Sequence, residues 1–159
     1  VVFACHGNQV LPLLAEPTEA EREVLGCFET SRNEVALHTD GSVLARRERA
    51  RASWNYHLHT ESDGATLTYH MNRLQSLKTS EDYCVTMNDK GSLDPAKVLK
   101  RIVYHHPLYT RRAIEAQAKW AKISGQNRTH YCGAYWFYGF HEDGLNSALR
   151  VARALGVAC

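Results

Sequence analysis

GAYWFYGFHEDGLNSALRVARALG, residues 133–156, is the stretch on which the reading of this chain turns. It reads as an aromatic strand, a turn rich in acids and glycine, and then one amphipathic helix. In that helix Leu145, Ala148, Leu149, Ala152 and Leu155 recur at helical spacing, with Arg150 and Arg153 on the other side and Gly156 placed to end it. The small residues Gly144, Ser147 and Ala148 let the first turn lie close to a neighbour or a ligand. A helix N-terminus leaves backbone N–H groups unpaired and carries partial positive charge, which suits an anion or a carbonyl oxygen. Two readings follow: a helix capped by Asp143 that packs on a sheet, or a helix aimed at a ligand. A strand–turn–helix alone has no unique chemistry.

Working outward, the 159 residues suffice for a domain with a real core. Hydrophobic residues make up 44% and charged residues 23%, ordinary values for a globular protein. Nineteen basic against seventeen acidic side chains leave a net charge of +2, too balanced for a nucleic-acid partner. No apolar run has membrane-span length, and no charged-then-apolar leader opens the chain. The five cysteines, Cys5, Cys27, Cys84, Cys132 and Cys159, are scattered and contain no CxxC pair, which points to a reducing cytoplasm. The chain opens on VVFAC, a buried-strand pattern without a preceding turn, as expected of a piece of a longer polypeptide.

Along the chain, Val1–Cys5 reads as a strand. Asn8 reads as the N-cap of a short helix through Leu14, with Pro12 in its first turn. Thr18 and Glu21 form a capping box, after which Ala20, Val24 and Phe28 share a face. Strand signals follow at 33–38, 52–58, 65–71 and 83–87, with a further one at Ile102–Tyr104. Trp54, Tyr56 and Leu58 fall on one strand face, and Leu67, Tyr69 and Met71 on one face of the next. Asp63-Gly64 between them predicts an antiparallel hairpin. A helix over 113–123 ends near Gly125, and THYCGAYWFYGF is strand again. The fold class is α+β, mostly antiparallel in the middle.

Cys132-Gly133-Ala134, a short aromatic segment, Glu142-Asp143-Gly144-Leu145 and the small-residue helix together resemble the C-terminal flavin-binding signature of the flavin amine oxidase superfamily. VVFACHGNQVLPLL, NEVALHTDGSVL, ASWNYHL, LTYHMNRLQSL and LDPAKVLKRIVYHHPLYT narrow the resemblance. They are similar to a group described as predicted NAD/FAD-binding proteins, often found beside cyclopropane-fatty-acid synthases. The resemblance implies the C-terminal part of an FAD-dependent oxidoreductase. Its dinucleotide-binding N-terminal portion, with a GxGxxG absent here, would lie upstream in the same protein. Residues 1–27 would be a late strand and helices joining the FAD domain, 28–108 an antiparallel substrate domain, and 109–159 the final strand and helix of a Rossmann-like FAD domain. Gly133 and Ala134 would approach the pyrophosphate. His141, Glu142, Asp143, Gly144 and Leu145, at the start of the helix, would meet the flavin.

The chain also departs from amine oxidases. The lysine that many of them carry on the first substrate-domain strand is missing from Asn33–His38, and His130 and His141 stand near the positions of their paired tyrosines. No catalytic side chain is assigned, and a fatty acyl or lipid substrate is the better expectation. Trp54, Tyr56 and Tyr69 read as core or as substrate contacts, and Asn55 and Asn72 as polar residues facing a cavity. Arg46, Arg47, Arg49 and Arg51 crowd one loop, either solvated or against anionic lipid headgroups at a membrane periphery. His57-x-His59 and His105-His106 lack a third ligand, so no metal is expected. The alternative to an enzyme is a lipid- or protein-binding module without flavin.

Overall fold

The computed structural model describes residues 1–59 and 64–157. Asp63, half of the expected hairpin turn, lies outside them. The chain forms two compact units, Val1–Ser31 with His106–Cys159, and Arg32–His105. The fold class is α+β, as expected.

The first unit carries strands β1 (Val2–Phe3) and β7 (His130–Tyr131), paired in parallel. Around them lie helices α1 (Gly7–Leu13), α2 (Glu19–Leu25), α4 (Arg111–Gln117), α5 (Trp120–Ile123) and α6 (His141–Ala154). The core is Val10, Val24, Leu25, Phe28, Ala113, Ala116, Ile123, Tyr131, Tyr135 and Trp136. At the start of α2 the capping box forms as expected: Glu21 N–H donates to Thr18 Oγ1 at 3.2 Å, and Thr18 N–H donates to Glu21 Oε2 at 2.7 Å. Val24 and Phe28 are buried behind it.

Several local expectations fail in this unit. β1 is a two-residue strand with Val1 and Val2 exposed, because its pairing partner is also only two residues long. α1 begins at Gly7, so Asn8 is inside the helix and donates from Nδ2 to Thr30 Oγ1 instead of capping. Pro12 is consequently well past the first turn. The helix expected over 113–123 is split in two between Gln117 and Trp120. Gln117 Nε2 is tied to the carbonyls of Tyr135 and Phe137, and Trp120 Nε1 to that of Tyr131, and these tertiary bonds override local propensity. The aromatic strand stops at Tyr131: Ala134–Trp136 is a 3-10 turn between Gly133 and Gly139, both at positive φ.

Glu21 is buried, with its carboxylate facing the Tyr131 hydroxyl at 2.5 Å. Burial raises its pKa, but hydrogen bonds from Tyr131 and from the Thr18 backbone and side chain outweigh this and hold it below the usual carboxylate range. Tyr131→Phe leaves a buried charge short of a donor. The expected cost is about 1–3 kcal/mol in urea unfolding. A cost below about 0.5 kcal/mol would mean that water replaces the phenol without loss.

The second unit is built on a five-stranded sheet of order β3-β4-β5-β2-β6. Its strands are β2 (Thr30–His38), β3 (Trp54–Leu58), β4 (Ala65–His70), β5 (Cys84–Met87) and β6 (Val98–Pro107), the first and last extending into it from the other unit. The pairings β3–β4, β4–β5 and β5–β2 are antiparallel. The register sets Trp54 opposite Tyr69 and Tyr56 opposite Leu67, as hairpin alternation requires. β4 ends at His70, and Met71 opens a one-turn helix, α3 (Met71–Leu74), so Asn72 is helical and not in a strand.

Candidate functional site

The first candidate region is the exit of β7. Gly133 has φ 145° and ψ 157°, and a Cβ there would stand 2.6 Å from the Tyr135 ring. Its N–H donates to Ser147 Oγ at 2.7 Å, and that hydroxyl donates to the Gly144 carbonyl at 2.8 Å. This bracket holds the first turns of α6 against Gly133-Ala134. A Cβ on Gly144 would lie 3.9 Å from the Ala134 Cβ, an ordinary contact. Thus Gly133, Ala134 and Gly144 come together, while His141, Glu142 and Leu145 are exposed at the helix start.

Asp143 is not the N-cap. Phe140 is, and it offers no polar atom. Asp143 sits in the first turn and accepts from the Tyr138 and Phe140 amides through Oδ2, at 3.1 and 3.0 Å. The first intrahelical amide bond is Gly144 N–H to Phe140 O. The amides of His141, Glu142 and Asp143 have no acceptor among the described residues. They form a cluster of donors at the positive end of a 14-residue helix.

The buried face of α6 is also displaced from the expected stripe. Ser147 and Val151 are buried, whereas Leu145, Ala148 and Leu155 are exposed. Arg150 turns inward, its guanidinium 4.0 Å from the centre of the Trp120 ring and 5.3 Å from that of Phe137. Its Nε and Nη2 are buried and have no hydrogen-bond partner among the described residues, and burial pulls its pKa below the ordinary arginine value. Cation–π contact takes the place of an ion pair here.

In the second unit, sheet alternation separates two faces. Trp54, Tyr56, Leu58, Leu67, Tyr69, Val85 and Met87 lie on one, and Asn55, His57, Thr66, Thr68, His70, Cys84, Thr86 and His38 on the other. The buried face is the polar one. Thr66, Thr68, His70, Cys84, Thr86 and His38 are all buried. On the aromatic face Trp54, Tyr56 and Leu58 are 60%, 70% and 76% exposed, so the core reading fails for Trp54 and Tyr56; Tyr69 is half-buried.

Hydrogen bonds explain how the polar face is buried. His38 Nε2 and Thr86 Oγ1 are 2.7 Å apart, and Thr86 and Thr68 hydroxyls 2.8 Å. Asp40 N–H donates to His38 Nδ1. The Asp40 carboxylate accepts from Asp94 N–H and Ser42 N–H, which holds its pKa down at about 2. His70 Nε2 meets Asp82 at 2.9 Å, and Arg51 meets the other oxygen at 3.0 Å. Arg51 is therefore a structural member of the basic loop, whereas Arg46, Arg47 and Arg49 are exposed. Burial, with help from Asp82, pushes the Cys84 thiol up to about 12, which keeps it protonated and a poor nucleophile.

Both asparagines act as brackets. Asn55 exchanges bonds with the Ala52 backbone and donates to Thr68 O. Asn72 accepts from Tyr83 N–H and donates to Thr79 Oγ1 and Glu81 O. Asn55 does line a cleft of about 730 Å³ between the segment from Ser42 to Ala52 and the β3–β4 hairpin, with Trp54 and Tyr56 also in its lining.

Burial holds the His38 pKa below the ordinary histidine value, with Asp40 and Asp89 opposing. A neutral folded imidazole gives its full stabilisation above the unfolded value, roughly 6.5, and loses it as pH falls from there toward the lowered folded value. The urea midpoint should therefore drop between pH 7.5 and 5.5, and drop less in His38→Gln. Equal pH dependence in the two proteins would show that His38 titrates alike folded and unfolded.

Sequence reasoning missed His38, Thr68, Thr86 and Arg150. The repeat Thr66-x-Thr68-x-His70, three hydrogen-bonding side chains on one strand face, was the available signal. Among the described residues no group of three histidines, cysteines or acids could hold a metal ion, although the His57 and His59 rings are 5.0 Å apart. No helix among them is long and apolar enough to cross a membrane. Compared with models of known families the chain matches none, and it matches none of the curated proteins.

Proposed function

We propose that this chain is the substrate-binding and flavin-capping part of an FAD-dependent oxidoreductase that oxidises or desaturates a fatty acyl chain. The dinucleotide-binding portion would come from an upstream part of the same protein. The observation that carries the reading is the uncapped start of α6, set against Gly133-Ala134 at the end of a parallel strand pair. Ligands of α/β folds gather at that end of parallel strands. The free amides of His141, Glu142 and Asp143 would face the flavin, and Gly133 and Ala134 the pyrophosphate. FAD would supply the hydride acceptor. The protein's task is then positioning, and the exposed Trp54, Tyr56 and Leu58, with Leu67 and Tyr69, offer an apolar surface for an acyl chain. A cytoplasmic protein that touches a membrane through Arg46, Arg47 and Arg49 fits such a substrate.

The test is anaerobic mixing of the intact flavin-loaded enzyme with acyl lipids and with primary amines. Acyl lipids are expected to bleach the flavin, and bleaching by amines alone sinks the reading. Gly144→Val has room at its Cβ and is expected to leave folding intact while lowering flavin occupancy. Equal flavin content in parent and variant would remove α6 from the cofactor site. The exposed aromatic face equally suits a binding module without flavin, which a colourless intact protein would favour.

A further inference from the structure

The cleft at the β3–β4 hairpin is lined by Trp54 and Tyr56 as well as by Asn55, His57, His59, Thr66 and Thr68, and no step above uses that polar part of its lining. Its floor has a hydrogen-bond direction that can be worked out. Asp40 N–H donates to His38 Nδ1, so that nitrogen carries no proton and the ring's single N–H is on Nε2. Nε2 therefore donates to Thr86 Oγ1. Thr86 is fully buried, and among the described residues its one other partner is Thr68 Oγ1. Leaving the Thr86 proton unpaired there would cost about 1–3 kcal/mol, so Thr86 donates to Thr68. Thr68 is then an acceptor in that bond and its own proton is left over. Thr68 lines the cleft.

The same argument applies beside it. Thr66 Oγ1 donates to Asn88 O at 3.4 Å and so accepts from His59 Nε2 at 2.7 Å, which leaves His59 Nδ1 as an acceptor for a ligand hydroxyl. His57, next along that strand face, and Arg46, on the facing loop, give the cleft basic side chains, and no acidic one lines it among the described residues. Arg46 has no ion-pair partner among the described residues.

We infer that this cleft binds a phosphate ester, with a phosphoryl oxygen accepting the Thr68 hydroxyl proton and the charge met by Arg46. A cleft of about 730 Å³ has room for more than a bare phosphate, so a phosphate carried on an organic body fits it. That body belongs either to a free phosphorylated metabolite or to a phospholipid headgroup. The inference does not depend on flavin.

The test titrates the 159-residue chain with glycerol 1-phosphate and with glycerol, following Trp54 fluorescence and calorimetric heat. In parallel, the chain is sedimented with vesicles of phosphatidylglycerol and of an uncharged glycolipid. Saturable binding of the phosphate ester, none of glycerol, and a tenfold or greater loss in Arg46→Gln and in Thr68→Val are expected. Thr68→Ser, which keeps the hydroxyl, should bind like the parent, and so should Arg112→Gln, in the other unit. Arg46→Gln is exposed and leaves the fold out of the comparison. Sedimentation with phosphatidylglycerol without binding of the soluble ester, lost in the same variants, assigns the phosphate to a lipid. Binding of the soluble ester alone assigns it to a metabolite. No saturable binding in either arm, or binding unchanged by Arg46→Gln and Thr68→Val, overturns the inference.

Discussion

Replacing Trp136 with alanine is expected to destabilise the first unit by about 3–5 kcal/mol, the usual range for deleting a buried indole. The ring is 1% exposed and packs edge-on to Phe28 at 4.9 Å and tilted against Tyr135 at 5.2 Å. Removing it opens a void between two aromatic rings that are themselves locked, one by the helix after Thr18 and the other by the turn after Gly133. Such a site relaxes poorly, which puts the cost toward the upper end. Thermal unfolding by near-ultraviolet dichroism should move down by more than about 10 °C. Trp54→Ala, on the exposed sheet face, is the control and should change stability by no more than about 0.5 kcal/mol. A Trp136→Ala protein within 1 kcal/mol of the parent would mean that the ring is not part of the unit's core.

Gly133→Ala is expected to cost about 2–6 kcal/mol, as the sum of two separable terms. Backbone at φ 145°, ψ 157° is close to glycine-only territory and carries about 1–3 kcal/mol of strain for any other residue. The added methyl also meets a packed ring, the Tyr135 edge, at 2.6 Å, and the Cys5 carbonyl at 3.4 Å, an overpacking cost of about 1–3 kcal/mol. Gly156→Ala separates the terms. Its φ is also positive, at 79°, but a methyl there meets nothing. Equal destabilisation of the two variants would show that the close approach of Tyr135 contributes nothing.

Much of the local structure was legible because it rests on neighbours in sequence. The Thr18–Glu21 box is a four-residue device, and the β3–β4 register follows from alternation. What could not be read was the side of the sheet that would be buried. Alternation finds two faces and assigns the apolar one to the core by default. Here a loop anchored by Asp40 and Leu44 belongs to the polar side, and His38, Thr86 and Thr68 satisfy one another there, while Thr66 meets His59 and His70 meets Asp82. Mutual hydrogen bonding across three strands has no period in the sequence. The aromatic run after Gly133 misled for a related reason. Its strand propensity is real, but two glycines at positive φ turn the chain, and their conformations follow from the approach of Tyr135 and Tyr109 in space. At α6 the residue types were read correctly and the helix phase was not. Helical spacing puts Arg150 on the solvent side, and Trp120, Trp136 and Phe137, from other segments, take it inward.

The two ends of the five-stranded sheet differ in a way that bears on symmetry. β6, at one end, carries Lys100 and Arg101 along its length, charges of the kind that keep sheet margins from adding strands. β3, at the other, reads Trp-Asn-Tyr-His-Leu, with no lysine, acid or proline to discourage a visitor. A sheet with one guarded and one open margin cannot polymerise by strand addition, since growth needs both. Pairing of β3 with β3 about a two-fold axis would bury each open margin against its copy and leave only guarded ones outside, so any such association closes at two chains.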